Sequence, residues 1–240
     1  QAVGIIGHPY TADKTNIPGF TFDENVEGTR ISGELTAAGL ELKLYYTRNE
    51  YPYEVRYLEQ GTNRELCKPK KDKGKYQQTI SEDAVGINGY DVVDSATQTL
   101  TIGIEEISSE AKVNVITFYY KEKEAAINYV AVGPAGAMNF GSVSPTTETV
   151  KVLSGTAAGS TPTAGNGYRF AGWFKDEACT EKVTENWVDA NNKITPQKTN
   201  GQYVAATYYA KFEPALINLT IRKTVDVVYS DNPKFVFQIR

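Results

Sequence analysis

The sequence predicts a mostly β protein of the α+β class, built from small domains repeated in tandem. Three observations predict it. Apolar and polar residues alternate with the two-residue period of strands in many short runs, and no long run keeps the 3.6-residue period of a helix. Tyrosine is abundant, at 16 residues against 2 Trp and 1 Met; its ring packs on one side of a strand while its hydroxyl stays wet. A Gly-aromatic motif returns at Gly19, Gly89 and Gly167, about 70 to 80 residues apart, the size of a small domain.

Taken in order, residues 1–49 form an incomplete unit. It holds "IPGFTF" (17–22) and the closing run "LELKLYYTRNE" (40–50), but no strand run precedes "GHPYTADKTNIPGF", so its first strand reads as cut off. Residues 50–122 form a complete unit. It opens with "YPYEVRYLEQGT", in which Tyr53, Val55 and Tyr57 face one way and Glu54 and Arg56 the other. The basic run "CKPKKDKGK" (67–75) reads as a solvated loop, "INGYDV" (87–92) is the Gly-aromatic strand, and "VNVITFYYKEKE" (113–124) closes the unit. Residues 123–213 form a longer unit that opens with "AAINYVAVGP" (Ile127 and Tyr129 inward), continues through "NGYRFAGWF" (166–174) and closes with "VAATYYAKFE" (204–213). On this reading Tyr45-Tyr46, Tyr119-Tyr120 and Tyr208-Tyr209 are equivalent pairs, and a charged cluster ends each unit as a linker would. "SEDAVGI" (81–87) and "TPTAGNG" (161–167) are the places for a poor helix or turn, each carrying a Gly that costs about 1 kcal/mol in a helix interior. Residues 214–240 hold two strand runs, Leu219–Val225 and Lys234–Ile239, around "SDNP". Two strands alone are marginal in water, so this tail reads as the start of a further β-sandwich-like domain.

Composition excludes several function classes. A net charge of −4 and a pI near 5.3 argue against nucleic acid, whose phosphates need a basic stripe. Cys67 and Cys179 lie far apart and, with His8 as the sole histidine, do not make a disulfide scaffold or a zinc site. No run of about 18 apolar residues spans a membrane. "GxSxG" and a phosphate-cradling loop are missing; "GPAGAMNFGS" (133–142) is Gly-rich but lacks Lys. The carboxylates of Glu105-Glu106, Glu110 and Asp176-Glu177 read as solvated strand ends, without calcium-loop spacing. The expectation is a protein that is not an enzyme and uses no cofactor or metal.

Trp173 and Tyr168 in "GYRFAGWFKD" are the candidate aromatic ligand platform. On a straight strand Tyr168 and Phe170 share one face, Trp173 takes the other, and Gly172 marks a bend or close approach. A domain near 80 residues buries only about 60% of its extended-chain surface, so large aromatics are needed inside it, and the core reading of Trp173 is preferred to the platform.

Together these motifs resemble known families. "YEVRY", the "INGYDV" and "IPGFTF" segments and the "TFYY" and "KLYY" endings resemble mucin-binding protein (MucBP) repeats. "GYRFAGWFKD" with "YAKF" is similar to the internalin-type B-repeat, with Phe212 in place of the usual Trp. The resemblance implies ubiquitin-like β-grasp modules in an extended string on cell-wall proteins of Gram-positive bacteria. "LTIRKTV" resembles the first strand of isopeptide-forming pilin backbone domains, which implies that Lys223 is the isopeptide lysine of a complete domain, unreacted here. The implied function is an extracellular adhesin stalk whose partners are host mucin or another glycoprotein and the neighbouring domains of the same chain. The alternatives are a structural spacer without ligand and a non-catalytic stretch of a large secreted enzyme. Exposed aromatics beside polar side chains would favour binding, and uniformly buried ones the spacer.

Overall fold

A computed structural model describes residues 3–105 and 113–217. Lys223 and the strand runs expected at 219–239 lie outside the described residues, as do Glu106 and Glu110. The chain divides into two compact units, one comprising Gln1–Ala125, Val150–Thr156 and Lys198–Val204, the other Ala126–Thr149, Ala157–Gln197 and Ala205–Arg240.

The first unit begins with β1 (Pro9–Thr11), β2 (Phe20–Phe22), β3 (Ser32–Glu34) and β4 (Tyr46–Arg48), with β1 antiparallel to β3 and β2 antiparallel to β4. It continues with β5 (Glu50–Glu59), β6 (Lys70–Lys75), β7 (Thr79–Asp83), β8 (Tyr90–Val92), β9 (Thr97–Thr101) and β10 (Val115–Glu122). A four-stranded sheet orders β6-β5-β10-β8, and β7 pairs with β9. The order and pairing of β1–β4 thus repeat those of β7–β10. The closing strand β10 runs parallel to β5, with Tyr57 level with Phe118, and antiparallel to β8.

Alternation along β5 and β10 points Tyr53, Val55, Tyr57, Ile116, Phe118 and Tyr120 to one side, where they form a core with Tyr90 and Ile102. Tyr57 and Phe118 stack at 6.1 Å between ring centroids and 10° between planes. Burying one such side chain contributes about 1.5–3 kcal/mol.

The second unit is built on β11 (Glu124–Val132), β12 (Gly141–Ser144), β13 (Thr147–Lys151), β14 (Thr161–Ala164), β15 (Tyr168–Phe174), a 3-10 turn (Glu185–Trp187) and β16 (Ala206–Pro214). Its four-stranded sheet orders β13-β11-β16-β15, again with the opening strand parallel to the closing one, and β12 pairs with β14. Among the described residues no α-helix occurs. Of the two places read for a poor helix or turn, 81–87 begins within β7 and 161–167 within β14, each strand with an antiparallel partner, as where Ile80 meets Leu100, and the second place ends in the turn closed by Tyr168 N on Gly165 O.

Four expectations are corrected. The basic run 67–75 is not a solvated loop: Lys70–Lys75 is the edge strand β6, and its exposed lysines suit an edge, where charge discourages further pairing. Glu105 is 5% exposed and does not end a strand in solvent; it accepts the amides of Val113 and Asn114. Glu122, in the charged cluster of the second unit's end, is likewise 5% exposed and accepts Leu153 N, Ser154 N and Ser154 Oγ at 2.6–2.7 Å.

The fourth correction concerns the paired tyrosines. A type of turn with its glycine at φ +79 to +83 precedes β2, β8 and β15, and the carbonyls of Gly19, Gly89 and Gly167 accept the amides of Asn49, Lys123 and Ala215 at 2.8–2.9 Å. Counting back three residues from these donors gives Tyr46, Tyr120 and Phe212. The third Tyr-Tyr pair is therefore offset, and Phe212, 1% exposed, fills the place of Tyr120.

Candidate functional site

Trp173 sits on β15 and is 2% exposed. Its indole N–H donates to the carbonyl of Asn192 at 2.8 Å, and the rings of Tyr129 and Phe170 meet it edge-on at 5.8 and 6.0 Å. Behind Tyr129, Tyr208 stacks at 6.2 Å and Trp187 meets Tyr208 edge-on at 5.9 Å. Burial pushes the Tyr208 hydroxyl's pKa up. Glu148 accepts the Tyr129 hydroxyl together with the amides of Ala158 and Gly159.

The straight-strand expectation for "GYRFAGWF" fails at one residue. Register runs from Phe170 opposite Phe212 directly to Gly172 opposite Lys211, so Ala171 is an extra residue. This β-bulge turns Trp173 to the side that Phe170 occupies, and Gly172 takes φ +140, which a side chain rarely adopts. Phe170, Trp173 and Phe212 consequently share one cluster. A shallow depression of about 320 Å³ lies beside it, lined by Phe170, Gly172, Trp173, Lys182, Glu185 and Asn192. Tyr168 is half-buried opposite Pro214 at the far end of β15 and does not border this depression. The structure thus does not bring Trp173 and Tyr168 together in an open platform.

Another arrangement recurs on both four-stranded sheets. With Phe118 and Tyr120 inward, Thr117, Tyr119 and Lys121 must face the other side of β10. Thr117 lies level with Arg56 and Tyr119 with Leu58 on β5. On β16, Tyr208, Ala210 and Phe212 are inward, so Thr207, Tyr209 and Lys211 face out, level with Asn128, Val130 and Val132 on β11. Tyr119 and Tyr209 are half-buried, Lys121 and Val130 exposed. Tyr45, on the closing run of the first repeat, is 39% exposed. Each sheet offers an outward Thr, Tyr and Lys in one line along its closing strand. A tyrosine ring face can stack on a sugar ring, a threonine hydroxyl can hydrogen-bond to it, and an ammonium attracts an acidic substituent. Sequence reasoning missed this line, although the signal was there: once the core face of "TFYYK" and "TYYAK" is fixed, a period of two places the Thr, Tyr and Lys on the opposite face.

Another concavity, about 260 Å³, is lined by Val3, Gly4, Tyr10, Leu35, Leu40 and Leu42 and carries little beyond apolar side chains. Among the described residues no three His, Cys, Asp or Glu side chains gather as metal ligands, Cys67 and Cys179 are free thiols, and no helix is long and apolar enough to cross a membrane.

The geometry defines a β-rich protein with buried aromatic cores. The family model of the MucBP domain matches residues 1–47. No curated protein matches the chain.

Proposed function

We propose that the chain is a stretch of an extracellular surface adhesin, in which non-catalytic β modules follow one another as a stalk and contact host mucin or another glycoprotein. The match of residues 1–47 to the MucBP domain carries this reading. The repetition of its strand order and of its glycine turn farther along the chain extends it to the later modules. The contact falls on the outward Thr-Tyr-Lys lines, centred on Tyr119 and Tyr209, where acidic sugars meet both a ring face and an ammonium. The β-grasp description, the likeness of residues 123–213 to the internalin-type B-repeat and attachment to a Gram-positive cell wall belong to the same reading, on sequence motifs alone.

The test is binding of the soluble chain to immobilised mucin and to a glycan array. Tyr119→Ala and Tyr209→Ala should each weaken the signal about 5- to 150-fold while thermal unfolding stays put, as expected for loss of one aromatic contact worth about 1–3 kcal/mol. Undiminished binding by the double variant would overturn the assignment of the contact. No binding by the unaltered chain would overturn the adhesin reading.

A second reading, a structural spacer without ligand, is favoured by one observation: Phe118, Tyr120, Tyr129, Trp173 and Phe212 are all 2% exposed or less, so these large aromatics serve cores. Failure to bind mucin or any arrayed glycan would establish it.

A further inference from the structure

Among the described residues an asparagine stands directly before a glycine at Asn88-Gly89, Asn166-Gly167 and Asn200-Gly201. This dipeptide carries a reaction of its own. The backbone nitrogen of the glycine can attack the side-chain amide carbon of the asparagine, because no Cβ shields that nitrogen. The attack requires the peptide plane between the two residues to rotate until the nitrogen faces Cγ. It therefore requires a turn that is open to solvent and free to move.

The turns differ in that freedom. Asn88 is exposed, but Gly89 is buried: a Cβ on it would come 2.6 Å from Leu153 Cδ1, and its carbonyl accepts Lys123 N at 2.9 Å. Tyr90 N closes this turn on Ile87 O at 3.1 Å. With Gly89 under Leu153, its nitrogen is shut from the base that must take its proton. Asn200 and Gly201 are both exposed, and no heavy atom among the described residues comes within 4 Å of a Cβ placed on Gly201. They are the central residues of a hairpin turn, at φ 51 and 79, closed by Gln202 N on Thr199 O at 3.1 Å and Thr199 N on Gln202 O at 2.8 Å. Positive φ at both central residues marks the tight I′ form, in which the N–H of the second central residue takes no part in closing the turn. Asn166-Gly167 stands between the two: nothing among the described residues covers Gly167, but Ala215 N holds its carbonyl at 2.8 Å.

We propose that Asn200 is a modification site at which the chain converts itself to aspartate and isoaspartate, and that Leu153 over Gly89 protects Asn88 from the same reaction. A base takes the Gly201 N–H proton, the nitrogen bonds to Asn200 Cγ, and the bond from Cγ to the side-chain nitrogen breaks to release ammonia. Water then opens the cyclic imide at either carbonyl. One opening leaves aspartate. The other leaves isoaspartate, with the main chain rerouted through the side chain and lengthened by one methylene. The balance is one water consumed and one ammonia released, and the exposed tip gains one negative charge. The lengthened chain no longer fits a two-residue turn, so the pairing of Thr199 with Gln202 goes with it.

The experiment is peptide mapping by mass spectrometry, with isoaspartate separated from aspartate, of the soluble chain held folded in mildly alkaline buffer and sampled over weeks. Asn200 should convert steadily, and faster as pH rises. Asn88 should convert at least about 10-fold more slowly, since a covered turn reacts only when it opens. In concentrated urea the two sites should convert at similar rates, because the cover is gone and the dipeptide is the same. Leu153→Ala should bring Asn88 up towards Asn200, with thermal unfolding to show that the variant is folded; the urea comparison stands where it is not. Asn200 left intact in the folded chain after the urea sample has converted would overturn the proposal. So would Asn88 converting as fast as Asn200 in the folded chain, and a folded Leu153→Ala chain that still spares Asn88 would overturn the role given to Leu153.

Discussion

Trp173 and Glu122 illustrate how single side chains are held. Trp173 is enclosed by Tyr129 and Phe170 and tied to Asn192 by its N–H, so truncation removes both ring burial and a hydrogen bond. Trp173→Ala should cost about 3–5 kcal/mol in urea unfolding, and mucin binding per folded molecule should be unaffected. An unchanged midpoint with lost binding would make the ring a ligand surface. Burial pushes the pKa of Glu122 up, but the bonds from Ser154 Oγ, Ser154 N and Leu153 N outweigh this and hold it below the usual carboxylate value. Glu82 has the same sign: burial raises its pKa, and the Lys70 ammonium and Tyr53 hydroxyl more than reverse it. For a lowered folded pKa, the stabilisation is complete above the unfolded value of about 4.3 and drains away as pH falls through the folded value. Glu122→Gln should therefore be less stable than the parent at neutral pH, and acid should close the gap. A gap that widened below pH of about 4 would reverse the assignment.

At the scale of elements, the glycine turns separate conformation from contact. Gly89→Asn keeps an acceptable backbone but drives a side chain into Leu153, and overpacking of this kind costs about 1–3 kcal/mol. Gly167→Asn in the chain ended at Ile217 meets open space and should stay within roughly 1 kcal/mol of the parent, the usual range for a backbone preference alone. Thermal unfolding of the two variants checks the contrast; equal losses would mean that φ alone governs both turns. The turns were legible in the sequence because Gly-aromatic pairs recur with strand patterning after them. The inward faces of β5 and β10 were legible for the same reason, a strict period of two. What escaped were events that break the period. The extra Ala171 adds one residue to β15 and swings Trp173 to the face of Phe170, and alternation contains no sign of it. The offset of Tyr208-Tyr209 was hidden because a tyrosine pair reads the same when shifted, and the bond from Ala215 to Gly167 is long-range. The candidate site was less legible than the fold: Trp173 drew notice by rarity, whereas Tyr119 and Tyr209 are ordinary members of a common residue type.

For the whole molecule, the proposed stalk makes a prediction independent of any ligand. A compact body of 240 residues has a radius of gyration of roughly 18 Å by size scaling. Small-angle scattering from the soluble chain should give a clearly larger value, and a value near the compact figure would remove the stalk. The pairing of first and last strands carries a mechanical consequence. In each four-stranded sheet the opening and closing strands lie side by side and parallel, β5 with β10 over six residue pairs and β11 with β16 over six. Tension applied through the backbone pulls the start of one strand against the end of the other, along the strands and across their hydrogen bonds. The bonds of that ladder must then shear together, because the load cannot unzip them one at a time. A sheet of this kind, pulled at its two ends, thus meets the load with its strongest resistance lying along the direction of pull.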